Sequence, residues 1–248
     1  MNYNVELKEE DAAIYFLGQA GYFIKACGRS ILIDPYLSDN CGKGDARFSR
    51  LYPVPVDPKE LFADIFILTH DHNDHLDPET IIPYGIEKDT IYVAPHLTAK
   101  HLRKLGIPEK RIAVIDCGET EVVREVSITG IFALGTSKDS IDTTGYIIRF
   151  RNGKSIYHTA DTTYCELLEK SAEYADVILA CINGKQGNMN VEQAAKLAKI
   201  LGVKYAVPNH YDVMALNSEN PELFRYLCEV NGIGDRCRIL EVGKPFVF

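Results

Sequence analysis

The chain has no apolar run approaching the roughly 18 residues that a membrane-spanning helix needs. Its first ten residues, MNYNVELKEE, carry neither the basic start nor the apolar core of a secretory signal. Seven cysteines (Cys27, Cys41, Cys117, Cys165, Cys181, Cys228, Cys237) are odd in number and scattered, and no two of them form C-x-x-C. Neither a zinc ribbon nor a disulfide framework is therefore expected, and a reduced cytoplasm fits. Basic residues are not in surplus: 27 Lys and Arg against 35 Asp and Glu leave a net charge of −8. That balance argues against nucleic acid as a partner. No low-complexity tract, Gly/Ser-rich linker or evident internal repeat divides the sequence, so one domain spanning 1–248 is expected. Whether it forms a homo-oligomer is left open by composition.

What is present alternates. Short strands are expected at AIYFL, GYFIKA and SILID, punctuated by GQAG and CGRS, and then a long loop, DPYLSDNCGKGDARFSRLYPVP. Strand DIFIL, a helix after Asp77, strand TIYVA, helix LTAKHLRKLG and strand RIAVI come next. Strands return through EVVREVSITGIFAL, GYIIRF and SIYHTA. The last third alternates again: helix YCELLEKSAEY, strand DVILACI, helix VEQAAKLAKILG, strand KYAVP and a helix around PELFRYLCEVNG. In VEQAAKLAKILG the apolar residues Val191, Ala194, Ala195, Leu197, Ala198 and Leu201 form a one-sided stripe, with Gly202 as C-cap. Strand-rich and βα stretches each occur twice. The pattern fits an α/β fold, either an αββα sandwich of two packed mixed sheets with outer helices or a three-layer α/β sheet.

Histidine is scarce, seven in all, yet three fall within THDHNDHLD, residues 69–77. A solvated polar loop is the plain explanation. The order argues otherwise: His70, His72, Asp74 and His75 form H-x-H-x-D-H directly after a strand, where functional loops of α/β proteins gather. Asp34, Asp161 and His210 stand at three further expected strand ends. A metal requires deprotonated ligands held close together by rigid elements, and strand ends on one rim supply them. Asp34 either braces the histidine loop or caps its own turn. His158, three residues before Asp161, is expected to point to the opposite face as a core or bracing histidine. His96 and His101 look like surface. Asn183, Asn188, Tyr211 and Asn217 are candidate substrate contacts, with turn chemistry as their plain alternative. No Gly-rich phosphate cradle is visible; Lys43, Arg47 and Lys185 are candidate anion partners that equally fit as ordinary surface charges.

The signature, with its later Asp and His, resembles the metallo-β-lactamase superfamily. Within that superfamily the stretches FLGQAGYFIKACGRSILIDPYLSD, ILTHDHNDHLDP, YHTADTTY, CINGKQGNMNVEQAAKLA and VPNHYDVMALNSENPELF are similar to L-ascorbate-6-phosphate lactonase and its metal-dependent hydrolase relatives. The resemblance implies the four-layer αββα sandwich and two metal pockets: His70 and His72 with Asp161, and Asp74, His75 and His210 with Asp161 shared. The superfamily usually adds a third histidine to the first pocket. Between His101 and His158 this chain has none, and the slot reads IFALGTSKDSIDTTGY. One firmly held divalent ion, Mn²⁺ or Zn²⁺, is therefore expected, with a second uncertain.

The activity so implied is hydrolysis of a small sugar-acid lactone, with or without a phosphate. A metal-activated water would attack the carbonyl, and Asp74 would handle the proton. The alternatives are a phosphodiesterase, which two intact pockets would favour, and a non-catalytic metal- or metabolite-binding protein.

Overall fold

In a computed structural model, which describes residues 3, 5–86, 88–135 and 140–248, thirteen strands form two sheets. The first holds β1 (Ala12–Gly18), β2 (Gly21–Ala26), β3 (Arg29–Ile33), β4 (Ile65–Ile67), β5 (Ile91–Ala94) and β6 (Ile112–Val114). A C-terminal strand not expected from the sequence, β13 (Pro245–Val247), pairs antiparallel with β1. The second sheet holds β7 (Thr120–Val123), β8 (Val126–Phe132), β9 (Thr144–Arg149), β10 (Ser155–His158), β11 (Val177–Cys181) and β12 (Tyr205–Asn209). Spatial orders are 13-1-2-3-4-5-6 and 12-11-10-9-8-7. Both sheets are mixed, and helices cover their outer faces: the four-layer αββα sandwich rather than a three-layer sheet.

Alternation along the strands builds the layers. In the first sheet Ile14, Ile24, Ile31, Ile65 and Ile67 share one buried cluster with Ile128, Ile148, Ile156 and Val177 of the second, so they fill the space between the sheets. The alternate residues Tyr15, Leu32, Phe66, Leu68 and Tyr92 pack outward on α2 (Pro78–Tyr84) and α3 (His96–Lys104) through Ile81, Tyr84, Ala99 and Leu102. On the second sheet the cover is α4 (Glu166–Ser171), α5 (Val191–Leu201) and α6 (Pro221–Val230).

Helix starts obey local chemistry. Asp77 accepts the Glu79 N–H and Pro78 opens α2; Asn220 and Pro221 repeat that arrangement for α6. The stripe predicted over VEQAAKLAKILG is buried as α5, opened by a reciprocal Asn190–Gln193 capping box and closed by Gly202 at φ 65°. The long loop after β3 is broken by α1 (Asn40–Gly44) and two 3₁₀ turns.

No repeat is evident in the sequence, yet the two halves repeat in structure. Strands β2–β5 and β9–β12 share one pairing scheme, antiparallel, parallel, parallel. Gly28-Arg29-Ser30-Ile31 at the start of β3 matches Gly153-Lys154-Ser155-Ile156 at β10. Ala63-Asp64-Ile65 at β4 matches Ala175-Asp176-Val177 at β11. In each half the serine N–H and hydroxyl both donate to one aspartate oxygen, at 2.8 and 2.9 Å. The same clip thus fastens a parallel strand pair twice. So few identities escape a search for sequence repeats.

In the second half the clip is buried, and Asp176 also takes Lys204 Nζ at 2.6 Å and the Tyr174 hydroxyl at 3.2 Å. Burial alone would raise its carboxyl; Lys204 and Ser155 outweigh it and hold it below the ordinary Asp value. A depressed folded-state pKa contributes stability that is present above the unfolded value, about 3.9, and fades as pH falls through the folded one. We expect Asp176→Ala to cost about 2–3 kcal/mol at pH 7, since charged hydrogen-bond partners are removed. The gap to the parent should narrow between pH 5 and 2. Urea unfolding across that range tests both; a gap independent of pH would show that the charge of Asp176 does not contribute.

Candidate metal centre

The C-terminal ends of β3, β4, β10, β11 and β12 open on one rim, and each delivers part of a polar cluster. Asp34 comes directly after β3, Thr69 to His75 after β4, Asp161 after β10, Asn183 after β11 and His210 after β12. The β1–β2 turn adds Gln19 at the same end, because Tyr22 pairs with Ile33. Backbone strain concentrates here. Gln19, Asp34, Ala160 and His210 lie in the left-handed region at φ 54°, 43°, 59° and 63°. Non-glycine residues hold that conformation only where the surroundings overdetermine it, commonly at functional sites. Gly21 permits a close approach of backbones: a Cβ there would lie 3.1 Å from Asp34 O, Gly18 O and Pro35 Cα.

Ligand-type atoms converge in groups within 4.8 Å of one another, among them His70–His72–Asp161 and Asp74–His75–His210. Asp161 joins the two. Its Oδ1 lies 3.4 Å from His75 Nε2 and its Oδ2 3.2 Å from His210 Nε2. Asp74 Oδ2 lies 3.3 Å from His210 Nε2, and His70 Nε2 lies 2.9 Å from His72 Nδ1. A third group, Asp34–His70–His75, is a hydrogen-bond chain. Asp34 accepts the Thr69 N–H at 2.9 Å and the Thr69 hydroxyl at 2.5 Å, and pairs with His75 Nδ1 at 2.7 Å. Asp34 therefore braces the histidine loop, the first of its two expected roles. It commits His75 Nδ1 and leaves Nε2 facing the cluster.

The donor set suits a divalent cation. His75 Nε2 and Asp161 Oδ1 are buried with no hydrogen-bond partner among the described residues; buried polar atoms are rarely left so. Electrostatics point the same way. Burial alone would lower His75 and His210, yet Asp161 and Asp74 outweigh it, raising His210 to about 9 and His75 well above its ordinary value. Asp74 and Asp161 are correspondingly held low by these imidazoles against the effect of burial. His70 goes the other way, to about 3, through burial and the neighbouring His75, so it is a neutral ring. Two carboxylates hold positive charge here, as protons or as a metal ion in their place.

The remaining sequence candidates divide. His158 stays out of the cluster. It is fully buried, with Nε2 3.0 Å from Ala20 O, Nδ1 accepting the Ala160 N–H at 3.1 Å, and Asn209 Nδ2 3.1 Å away. It thus ties together the neighbours of Gln19, Asp161 and His210. Asn188 donates to Asp161 Oδ2 at 2.8 Å, steering the joining carboxylate. Asn183 donates to Asn217 Oδ1 at 2.6 Å, and Asn217 lines a cleft of about 370 Å³ with Cys41, Phe48, His72, Asp74 and Met214. Tyr211 is elsewhere, stacked on Phe16 at 5.4 Å and lining a separate cavity with Leu51 and Tyr52. The three candidate anion partners are already engaged: Lys43 with Glu79, Arg47 with Asp45, and Lys185 with Ser218 O. His101, expected as plain surface, lies 3.1 Å from Asp71 of the histidine loop. In the IFALGTSKDSIDTTGY slot, 136–139 lie outside the described residues.

Two contributors had not been expected from the sequence. Gln19 is fully buried, donates to Asp74 Oδ2 at 2.9 Å and lies within 3.4 Å of the His210 ring nitrogens. Its signal was a lone amide inside the turn GQAG. Thr69, the residue before the signature, links Asp34 to His70 Nδ1 at 3.0 Å.

Because Asp34 fixes which nitrogen of His75 is presented, Asp34→Ala should weaken metal binding by roughly 10- to 100-fold. His158→Ala should leave metal affinity nearly unchanged and lower thermal stability instead. Metal titration beside thermal unfolding separates the two; equal metal loss in both would make His158 part of the centre.

Residues 29–211 match the family model of the beta-lactamase superfamily domain. The UPF0173 metal-dependent hydrolase of Pyrococcus abyssi is 30% identical over 239 residues, covering 94% of this chain and 96% of that one. Its counterpart in Chloroflexus aurantiacus is 28% identical over 232 residues, covering 88% and 89%. In three dimensions the chain is similar to Igni18, a metallo hydrolase from Ignicoccus hospitalis, with TM-score 0.78 and 23% identity over 96% of this chain and 98% of that one. This last likeness bears on fold alone. With a domain match over most of its length and a full-length relative at 30% identity, the chain belongs to the beta-lactamase superfamily and to its UPF0173 metal-dependent hydrolase family.

Proposed function

We propose that this chain hydrolyses a small ester-like substrate, a sugar-acid lactone in the first instance, with a divalent ion held by Asp74, His75, His210 and Asp161. The observation that carries the reading is the buried pair His75 Nε2 and Asp161 Oδ1, 3.4 Å apart and without a hydrogen bond among the described residues, in a cluster of two carboxylates and imidazoles. His70 and His72 with Asp161 would hold a second ion. When bound, the cation supplies Lewis acidity, which lowers the pKa of a water and polarises a carbonyl.

The chain's own residues do the rest. Asp74 lines the 370 Å³ cleft and keeps one oxygen on Gln19 and His210, so its carboxylate is placed to take a proton from water and return it to the leaving oxygen. Phe48 and Met214 give the cleft apolar wall, and Asn217 gives it an amide. A cleft of that size suits a small molecule. The lactone itself rests on the resemblance seen in the sequence. The phosphodiesterase reading requires a firm second ion, and among the described residues the first pocket gathers three ligands, His70, His72 and Asp161.

We expect one ion per chain to survive dialysis and the second to be lost. Since Asp161 and Asp74 favour the protonated form of His75 and His210, uptake of the tight ion should displace protons from them, measured with a pH indicator in weak buffer. Uptake without proton release would remove these two histidines from the ligand set.

Asp74→Asn keeps the volume but loses the charge and the proton acceptor. It should lower kcat by roughly 10²–10⁴-fold, the usual worth of acid–base catalysis, with a smaller change in KM. Assay on a panel of lactones and on bis(p-nitrophenyl) phosphate tests the reaction class. Efficient diester cleavage with negligible lactone opening would replace the proposal by the phosphodiesterase; neither activity in metal-loaded protein would leave a binding protein.

A further inference from the structure

Two clefts meet at His72 and Asn73. One is the Asp74 cleft; the other, about 420 Å³, opens on their far side and is walled by α3. Leu97, Lys100, His101 and Lys104 line it, at the i, i+3, i+4, i+7 spacing that puts them on one helix face, and Asp71 lines it from the histidine loop with its carboxylate on His101. The opposite face, Thr98, Ala99 and Leu102, is buried against the sheet. His101 Nδ1 lies 3.1 Å from Asp71 Oδ2, hitching this helix to the histidine loop one residue before His72.

Lys100 and Lys104 are exposed, one turn apart, and have no ion-pair partner among the described residues. Like charges at this spacing repel. The cations around the neighbouring cleft are, by contrast, engaged: Lys43 by Glu79, Arg47 by Asp45, Arg50 by Tyr36 O, Lys185 by Ser218 O. The start of α3 is not what attracts an anion, because Asp116 accepts the His96 N–H and Asp142 those of Leu97 and Thr98. What the helix offers is its flank: two unneutralised ammonium groups over a concavity that adjoins His72. In a chain of net charge −8 such a local positive field draws in an anion.

We propose that this second cleft binds the anionic end, carboxylate or phosphate, of the substrate whose scissile group reaches the histidine–aspartate cluster. Substrate class is thereby narrowed to small molecules with an acidic group beyond the hydrolysed bond. The inference rests on the hydrolase reading for its functional meaning and on the lysines for its binding.

The test uses the full chain loaded with its metal, parent and Lys100→Ala/Lys104→Ala, with metal content and circular dichroism matched first. Calorimetry with inorganic phosphate should show binding weakened roughly tenfold in the variant, the scale of two exposed cation contacts. Phosphate held by the metal contributes equally to both proteins and drops out of the difference. In parallel, p-nitrophenyl acetate is compared with p-nitrophenyl esters ending in a carboxylate or a phosphate. KM should rise for the charged esters and hold for the neutral one; the larger rise identifies the anion. Unchanged phosphate affinity, or equal losses on neutral and charged esters, overturns the proposal. If no ester is cleaved yet phosphate binding falls with the lysines, the anion cleft stands and the hydrolase reading fails.

Discussion

A buried carboxylate, Asp161, and a partly buried one, Asp74, opposing two buried imidazoles form the interaction on which the rest of this rim depends. Asp161 reaches His75 with one oxygen and His210 with the other, while Asp74 reaches His210. A buried charge left alone costs several kcal/mol or more, so none of these groups could sit here singly. Placed together, they need a positive charge between them and exact it from whatever enters. Much of the polar architecture around them acts as support. Asp34 holds His75 by its other nitrogen, Asn188 holds Asp161, Gln19 holds Asp74, and His158 pins the backbone beside Gln19, Asp161 and His210.

The sandwich makes that convergence feasible. Two halves with the same strand pairing face each other, and each ends its parallel strands on the same rim. The first half supplies Asp34 and the histidine loop; the second supplies Asp161 and His210. The serine–aspartate clips at the opposite ends of the strands fix β3 to β4 and β10 to β11. With the strand starts fastened, their far ends have little freedom. The left-handed turns at Asp34, Ala160 and His210 then swing side chains inward at a cost that the surrounding sheet covers.

The site is also asymmetric. His75 and His210 are fully buried, whereas Asp74 and His72 stand partly open on the cleft, His72 where the two clefts meet. Enclosure strengthens the charge interactions of the two buried imidazoles, while Asp74 and His72 face the cleft. A substrate would approach past His72, with the lysine-lined flank of α3 on one hand and Asp74 on the other.

Several features were legible in the residues alone. The spacing of His70, His72, Asp74 and His75 after an apolar strand marked the loop, because a strand end fixes the direction of the residues next to it. The strand-end positions of Asp161 and His210 completed the group. Period-2 and period-3.6 patterns located most elements, since alternation is dictated by which face meets water. Other features had no local signature. Gln19 looks like any turn residue until β1 and β2 carry it to Asp74. Tyr211, one residue from His210, points away onto Phe16, because the left-handed turn at His210 redirects the chain after β12. Lys43, Arg47 and Lys185 lost their apparent freedom to partners that chain folding brought beside them, while among the described residues Lys100 and Lys104 meet no such partner. The sequence by itself determined which chemistry was available and where strands would end. Only the tertiary structure decided which of those groups share a few ångströms of buried space, because that depends on two sheets packing face to face.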